Sequence, residues 1–396
     1  MKIYADNAAT TKLSRVSKEA MLPYFDTIYG NPSSLYSAGQ EAAEAINRAR
    51  QIIAKKLNCE PREIYFTSGG SEADNQAIIS AAQIGARQNK RHIVSTAFEH
   101  HAVLHILEKL KKQGYEITLL DVHENGIVMP DEVAAAIRDD TCLVTVMYAN
   151  NEIGTIQPIA EIGAICGAKG VLFHTDAVQA AGHVYIDVKA QHIDMLSLSA
   201  HKFHGPKGAG VLYAKKGIFL TNIIEGGAQE RGKRGGTENV PAIMGMAAAF
   251  EEACAKIDGN TQKLTALRDK ITEGLLKIPH SVLNGDSARR LPGNVNVCFE
   301  GIEGESLLLY LDAQGIMASS GSACTSGSLD PSHVLLAIGR PHEIAHGSLR
   351  LSLSEENTHE EAEYITEKVA EVVEHLRSMS PVWRDLKEGK KSYVIQ

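Results

Sequence analysis

The chain has 396 residues, 44% of them apolar and 22% charged. That excludes a small stapled scaffold and excludes disorder for most of the chain; two domains, or one large domain with an appendage, are expected. Lys plus Arg number 40 against 48 Asp plus Glu, a net charge of −8, which argues against nucleic acid as the main ligand.

No run approaches the roughly 18 apolar residues of a membrane span. Met1-Lys2-Ile3-Tyr4-Ala5-Asp6-Asn7 has no apolar signal core, so no membrane partner and a cytoplasmic location are expected. The six cysteines, Cys59, Cys142, Cys166, Cys254, Cys298 and Cys324, form no C-x-x-C pair and no cluster. They read as scattered thiols and not as a disulfide frame or zinc ribbon.

In chain order, Glu63 to Thr67 reads as a strand and Ser71 to Gln88 as a helix rich in Ala and Ile. His92 to Thr96 follows as a strand, His100 to Lys112 as a helix, Glu116 to Leu120 as a strand, Asp131 to Arg138 as a helix and Cys142 to Tyr148 as a strand. Ile159 to Lys169 is a helix, and Val171 to His174, Met195 to Leu198 and Val211 to Tyr213 are strands. This alternation predicts an α/β domain whose mostly parallel sheet is covered on both faces.

After Asn239 the pattern changes. Pro241 to Ile257 and Gln262 to Lys277 read as two helices around a turn at Asp258-Gly259-Asn260, where a domain boundary is expected. Strands return at Ser281 to Leu283, Asn294 to Phe299 and Leu349 to Leu353, and a last helix runs from His359 to about Ser378. This places a large domain over 15–258 and a smaller α+β domain over 1–14 and 259–396. The charged tail from Lys387 to Gln396 lacks periodicity and is expected to be mobile.

Three polar clusters fall where strands end, the usual ligand position in open α/β sheets. Phe66-Thr67-Ser68-Gly69-Gly70-Ser71-Glu72 joins a strand to a helix N-terminus, whose unpaired N–H groups suit a phosphate. An ordinary glycine turn with a serine cap would look the same. Asp176 and Gln179 follow a buried strand; a carboxylate there can hold a cationic ring nitrogen or simply cap the next helix. Ser199, His201 and Lys202 follow another buried strand before the break at Gly205-Pro206. A lysine desolvated there can condense with a carbonyl cofactor, while a solvated one would be a plain surface charge.

Together with further motifs, these clusters resemble the cysteine desulfurases of the NifS/IscS type, in the class V aminotransferase group of fold-type I pyridoxal phosphate enzymes. The matching stretches include Tyr4 to Thr11, Gly30-Asn31-Pro32-Ser33-Ser34, Thr67 to Asn75, Glu99-His100, Asn150 to Gly154, Asp176 to Gln179, Ser199 to Lys202, Arg234-Gly235-Gly236-Thr237, Ser320 to Ser326 and Leu349-Arg350. They span nearly the whole chain in the family's order.

The resemblance implies pyridoxal 5'-phosphate as cofactor and assigns roles to individual residues. Lys202 would bond the coenzyme aldehyde, and Asp176 would keep the pyridine nitrogen protonated. Gln179 and Asn151 would hold the phenolic oxygen, and His100 would stack on the ring and move protons. Gly70, Ser71, Ser199 and His201 would hold the phosphate, with Thr237 reaching the phosphate of a neighbouring subunit in a homodimer. Asn31 and Arg350 would bind the substrate, Arg350 by gripping its carboxylate.

Cys324 sits in a Gly/Ser-rich loop, about 319–331, expected to move. By the same resemblance it would take sulfur from L-cysteine as a persulfide, release L-alanine and pass the sulfur to an acceptor such as an iron–sulfur scaffold protein. The other five cysteines lie in or beside apolar stretches and read as structural. Selenocysteine lyase and class V aminotransferase are the nearest alternatives, although an aminotransferase would not need Cys324. His342-Glu343-Ile344-Ala345-His346 matches the H-E-x-x-H pattern of zinc proteases, but Pro341 and Gly347 bracket it and leave room for one helical turn.

Overall fold

The computed structural model describes residues 1–320 and 331–395. The chain opens with the short strand β1 (Ile3–Tyr4) and then enters the larger sheet. That sheet contains β2 (Ile64–Thr67), β3 (His92–Thr96), β4 (Glu116–Leu120), β5 (Thr141–Thr145), β6 (Leu172–Asp176), β7 (Met195–Ser199) and β8 (Gly210–Ala214). Their spatial order is β2-β8-β7-β6-β5-β3-β4. Only β8 runs against its neighbours; the other pairs are parallel. The carboxyl ends of β2, β3, β5, β6 and β7 therefore all open on one edge. The strands β3, β5 and β7 are buried along their whole length, as expected for a sheet covered on both faces.

A second, antiparallel sheet joins β9 (Ser281–Leu283), β10 (Asn294–Phe299) and, after the short β11 (Ile316–Met317), β12 (Ser348–Ser352) in the order β12-β10-β9. β11 pairs with β1, bringing the N-terminus to this side. One apolar cluster packs Val94, Val144, Phe173, Leu196 and Val211 with Phe203 and Phe250. Another packs Leu264, Leu267, Ile271 and Leu275 with Val295, Leu349, Leu351, Val369 and Ile3.

The turn expected at Asp258-Gly259-Asn260 is overturned. One helix runs without interruption over Val240–Leu275, 36 residues, and contributes to both clusters. The physical reason is the apolar stripe: Ile257, Leu264, Leu267, Ile271 and Leu275 continue at helical spacing, while Asp258 and Gly259 lie on the solvent side. A single exposed glycine costs a helix about 1 kcal/mol relative to alanine, too little to break one anchored by packing on both sides.

Two further differences concern the ends of the chain. Pattern alone marks no element before Glu63, yet a 21-residue helix spans Ser37–Leu57, with Ala42, Ala45, Ile46, Ala49, Ile53 and Leu57 on its buried face. The tail is also not the loose extension expected. Within it, the N–H groups of Val394 and Ile395 donate to the Glu300 carboxylate at 2.8 and 3.1 Å. Tyr393 stacks on His280 at 3.8 Å between ring centroids. These partners lie about a hundred residues upstream, so local periodicity could not announce them.

Candidate active site

Where β2 ends, Gly69 takes a φ of +155° that favours glycine, and the Gly70–Ala86 helix begins. A Cβ on Gly70 would stand 2.6 Å from Val178 Cγ2, so only glycine lets this helix end approach the turn after β6. The first-turn N–H groups of such a helix have no intrahelical partner, and the helix dipole favours an anion there. Two adjoining hollows, about 300 and 400 Å³, share Gly70, Ser71, Ser199 and His201 along their walls. Lys207 lines the second. Burial, with Lys202 and Lys207 adding to it, lowers the His201 pKa to about 4, so its imidazole is neutral at pH 7.

The larger sheet delivers the other groups to the first hollow. Asp176 closes β6, 5% exposed, and one carboxylate oxygen accepts the Val178 N–H at 2.9 Å. Burial raises its pKa, against the pull of His100, the Val178 N–H and Lys202. His100 caps the His101–Lys112 helix, its Nδ1 accepting the Ala102 N–H at 3.1 Å. Burial lowers its pKa and favours the neutral ring.

Lys202 follows β7 in a tight turn, and its Nζ donates to the carbonyls of Ala8 and Ala9 at 2.6 and 2.8 Å. Gln179 Nε2 donates to the same Ala8 carbonyl at 2.9 Å. From β12 of the second sheet comes Arg350, 3% exposed. Its Nη2 meets Asp6 Oδ1 at 2.8 Å, and its Nη1 donates to the Asn151 carbonyl at 3.2 Å.

Gly70, Ser71, His100, Asn151, Asp176, Gln179, Ser199, His201, Lys202 and Arg350 thus line one cavity. The arrangement offers an amine, a buried carboxyl, an anion-binding helix end and a guanidinium within one enclosure.

Residues 3–365 match the aminotransferase class-V family. A cysteine desulfurase IscS of Methanosarcina thermophila is 56% identical over 380 residues, covering 96% of this chain and 94% of that protein. The chain belongs to the aminotransferase class-V family, among its cysteine desulfurases. A cysteine desulfurase IscS of Clostridium botulinum is 52% identical over 393 residues, 98% of this chain and 99% of its own length. Among solved structures, a NifS-like protein matches with a TM-score of 0.89 at 37% identity, covering 95% of this chain and 100% of that one. SspA in complex with cysteine matches with a TM-score of 0.79 at 36% identity, covering 88% and 98%.

Within this class V chain, two expected site residues stand apart from the cavity. Asn31 is exposed, its side chain accepting the Ser33 N–H. Thr237 is exposed ahead of the Val240–Leu275 helix. Cys324 lies outside the described residues. The root of its loop is described: Ser319 and Arg350 exchange both backbone hydrogen bonds, at 3.1 and 2.6 Å. Cys142, Cys166 and Cys298 are buried, Cys59 and Cys254 half-buried; burial pushes all five thiols up to between about 11 and about 12. None of the five lines the cavity. The His342–Glu343 stretch forms a four-residue helix, His342–Ala345, and β12 starts at Ser348.

Sequence reasoning gave no role to Asp6, Ala8, Ala9 or Asp74, and all four belong to the site. Asp74 faces the cavity one helical turn after Gly70, an i, i+4 spacing that was available as a signal. Its Oδ1 has no hydrogen-bond partner among the described residues, and it lies 3.6 Å from His174 Nε2. Burial, with Asp176 next, pushes the Asp74 pKa well above the carboxylate range, and burial lowers that of His174 to about 3. Burial thus favours the neutral form of both, while Asp176 has His100, Lys202 and the Val178 N–H favouring its charged form.

Proposed function

We propose that the chain is a pyridoxal 5'-phosphate-dependent enzyme that converts L-cysteine to L-alanine and leaves the sulfur on Cys324 as a persulfide for an acceptor such as an iron–sulfur scaffold protein. The observation that carries this reading is the meeting of Lys202, Asp176, the Gly70 helix end and Arg350 around one cavity of about 300 Å³.

The residues suit the coenzyme. Asp176 is a buried carboxyl whose charged form needs a cation, which a protonated ring nitrogen provides. The glycine-only approach at Gly70 brings to the hollow a helix end whose first-turn N–H groups lack intrahelical partners, as a phosphate requires. When bound, pyridoxal phosphate supplies an aldehyde and a ring that withdraws electrons from the bound amino acid.

Lys202 is positioned to bond the aldehyde carbon and, once displaced by substrate, to hold the proton from the α-carbon at Nζ. Gly70, Ser71, Ser199 and His201 would hold the phosphate, and Gln179 and Asn151 the phenolic oxygen. His100 presents a neutral imidazole to the cavity as a further proton site. Arg350 grips the substrate carboxylate as a planar fork. The Cys324 thiolate then attacks the substrate sulfur: the S–S bond forms, the Cβ–S bond breaks, and its electron pair stays with the organic product, which is protonated to L-alanine.

A homodimer with shared sites fits the surface. Leu22, Phe25, Tyr29, Leu35 and Tyr36 are exposed in one stretch, Leu35 by 91%. A second copy covering this apolar face would also account for Asn31 and Thr237 lying outside their own chain's cavity. The division into 15–258 and 1–14 with 259–396 is supported by the second apolar cluster, which draws on Ile3, Ala5 and residues 264–376.

The test is Cys324→Ser. Sulfide release from L-cysteine in the presence of a reductant is expected to vanish, with coenzyme colour retained. Surviving release would overturn the persulfide step.

A further inference from the structure

A guanidinium carries five N–H donors in a planar fork. In Arg350, one Nη2 hydrogen goes to Asp6 and one Nη1 hydrogen to the Asn151 carbonyl. Nε has no partner among the described residues although it is buried. Donors therefore remain for a second carboxylate, so a ligand can join Asp6 on Arg350 without evicting it. Charge is the scarcer resource, because a single positive charge would then serve two anions.

Asp6 is not free to retreat. Its carbonyl accepts the N–H groups of Ala9 and Thr10 at 3.1 and 3.4 Å. Its neighbours are zipped to Ser352, on the same face of β12 as Arg350. Ser352 N donates to Ala5 O at 2.7 Å, Asn7 N donates to Ser352 O at 3.1 Å, and Ala8 N donates to Ser352 Oγ at 2.8 Å. Asn7 Nδ2 adds a further bond to the Ser352 carbonyl at 2.8 Å. The segment that walls the cavity with Ala8 and Ala9 is thus the one that fixes the carboxylate of Asp6 on Arg350.

We propose that Asp6 is a positioning and specificity-determining residue: it is the resident counter-ion of Arg350, aiming the guanidinium at the cavity and limiting how tightly that arginine holds a ligand carboxylate. This rests on the reading of Arg350 as the carboxylate anchor. Substrate and product amino acids carry the same α-carboxylate, so an arginine without its own counter-ion would retain product as firmly as it captures substrate. Asp6 weakens both holds and favours turnover. It also repels any second carboxylate on the ligand, which disfavours amino dicarboxylates against an amino acid with a small neutral side chain.

The test measures equilibrium binding of L-alanine, L-aspartate and ethylamine to the full-length, coenzyme-loaded protein by calorimetry. Asp6→Asn keeps an acceptor oxygen and removes the charge. Its expected effect is a fall in the L-alanine Kd of about 3- to 10-fold, the scale of one partly buried charge interaction. The fall for L-aspartate should be larger, and ethylamine, which has no carboxylate, should bind unchanged. A purely structural role for Asp6 would weaken all three ligands together. Asp6→Ser also removes the charge and must move the L-alanine Kd in the same direction if Asp6→Asn folds poorly. An unchanged or raised L-alanine Kd overturns the counter-ion role. Arg350→Gln separates the two readings. Weaker L-alanine binding in that variant, with Asp6→Asn inert, defeats the role of Asp6 alone. An unchanged L-alanine Kd in Arg350→Gln defeats the anchor and the counter-ion together.

Discussion

The ammonium of Lys202 lies 2.6 Å from the carbonyl oxygen of Ala8, a residue 194 positions earlier in the chain. The N-terminal segment is therefore part of the cavity wall. Thr11 strengthens the link: its N–H and its Oγ1 both donate to the His201 carbonyl at 2.9 Å, and its Oγ1 accepts the His204 N–H at 2.8 Å. The turn that presents the lysine is braced from outside the larger sheet.

Lys202→Ala should abolish the visible absorption band of covalently held coenzyme. Cysteine turnover should fall by at least about 10³-fold, since both covalent attachment and proton transfer are lost. Visible spectra and sulfide release assays on the same preparation check this. A persisting band with normal turnover would mean that another amine serves.

Gly70→Ala should weaken coenzyme binding and lower stability by about 1–3 kcal/mol, the usual range for overpacking. The cause is the 2.6 Å approach of the added Cβ to Val178 Cγ2. Adding Val178→Ala makes room, so the double variant should recover part of both losses. Coenzyme titration and urea unfolding of the three variants give the answer.

His204 Nε2 lies 3.3 Å from a Glu355 oxygen, tying the lysine turn to the segment after β12. The hydrogen bond and charge of His204 pull the Glu355 pKa down to about 2. Burial alone would lower the pKa of His204, but the hydrogen bond and charge of Glu355 outweigh it and raise it. Stability from the depressed carboxyl is present above its unfolded value of about 4.3 and is lost as pH falls toward its folded value. Stability from the raised imidazole is present below about 6.5 and is lost as pH rises through its folded value. The pair should therefore contribute most at about pH 5.5. Glu355→Gln should destabilise the protein there by about 1 kcal/mol, discounted for solvent screening of a partly exposed pair. Urea midpoints across the pH range should show the difference shrinking on both sides.

Gly259→Ala should raise stability by about 0.5–1 kcal/mol. The residue lies mid-helix with nothing within 4 Å of an added Cβ. Two helices joined by a turn at this point would give no such gain. Urea unfolding of the single variant distinguishes the two arrangements.

The larger sheet was legible because each of its strands is a short apolar run between turn residues. His92–Thr96 and Glu116–Leu120 begin and end where pattern alone puts them. The Ser37–Leu57 helix went unmarked, although Ala42, Ala45, Ile46, Ala49 and Ile53 repeat at helical spacing on its buried face. Most of the candidate site was readable too, since the glycine turn, Asp176 and Lys202 each sit at the end of such a strand.

By itself, the sequence determined the strands, the order of the motifs and the chemical groups available to the site, because those depend on residues close together along the chain. Tertiary structure decided which remote groups meet. The pairing of Asp6 with Arg350 joins residues 344 positions apart. The unbroken Val240–Leu275 helix owes its continuity to packing on two cores, and Glu300 captures a tail that looked unstructured. In each case the free energy comes from burial and from paired polar groups contributed by distant segments. No local periodicity encodes those terms, so they exist only once the chain has closed on itself.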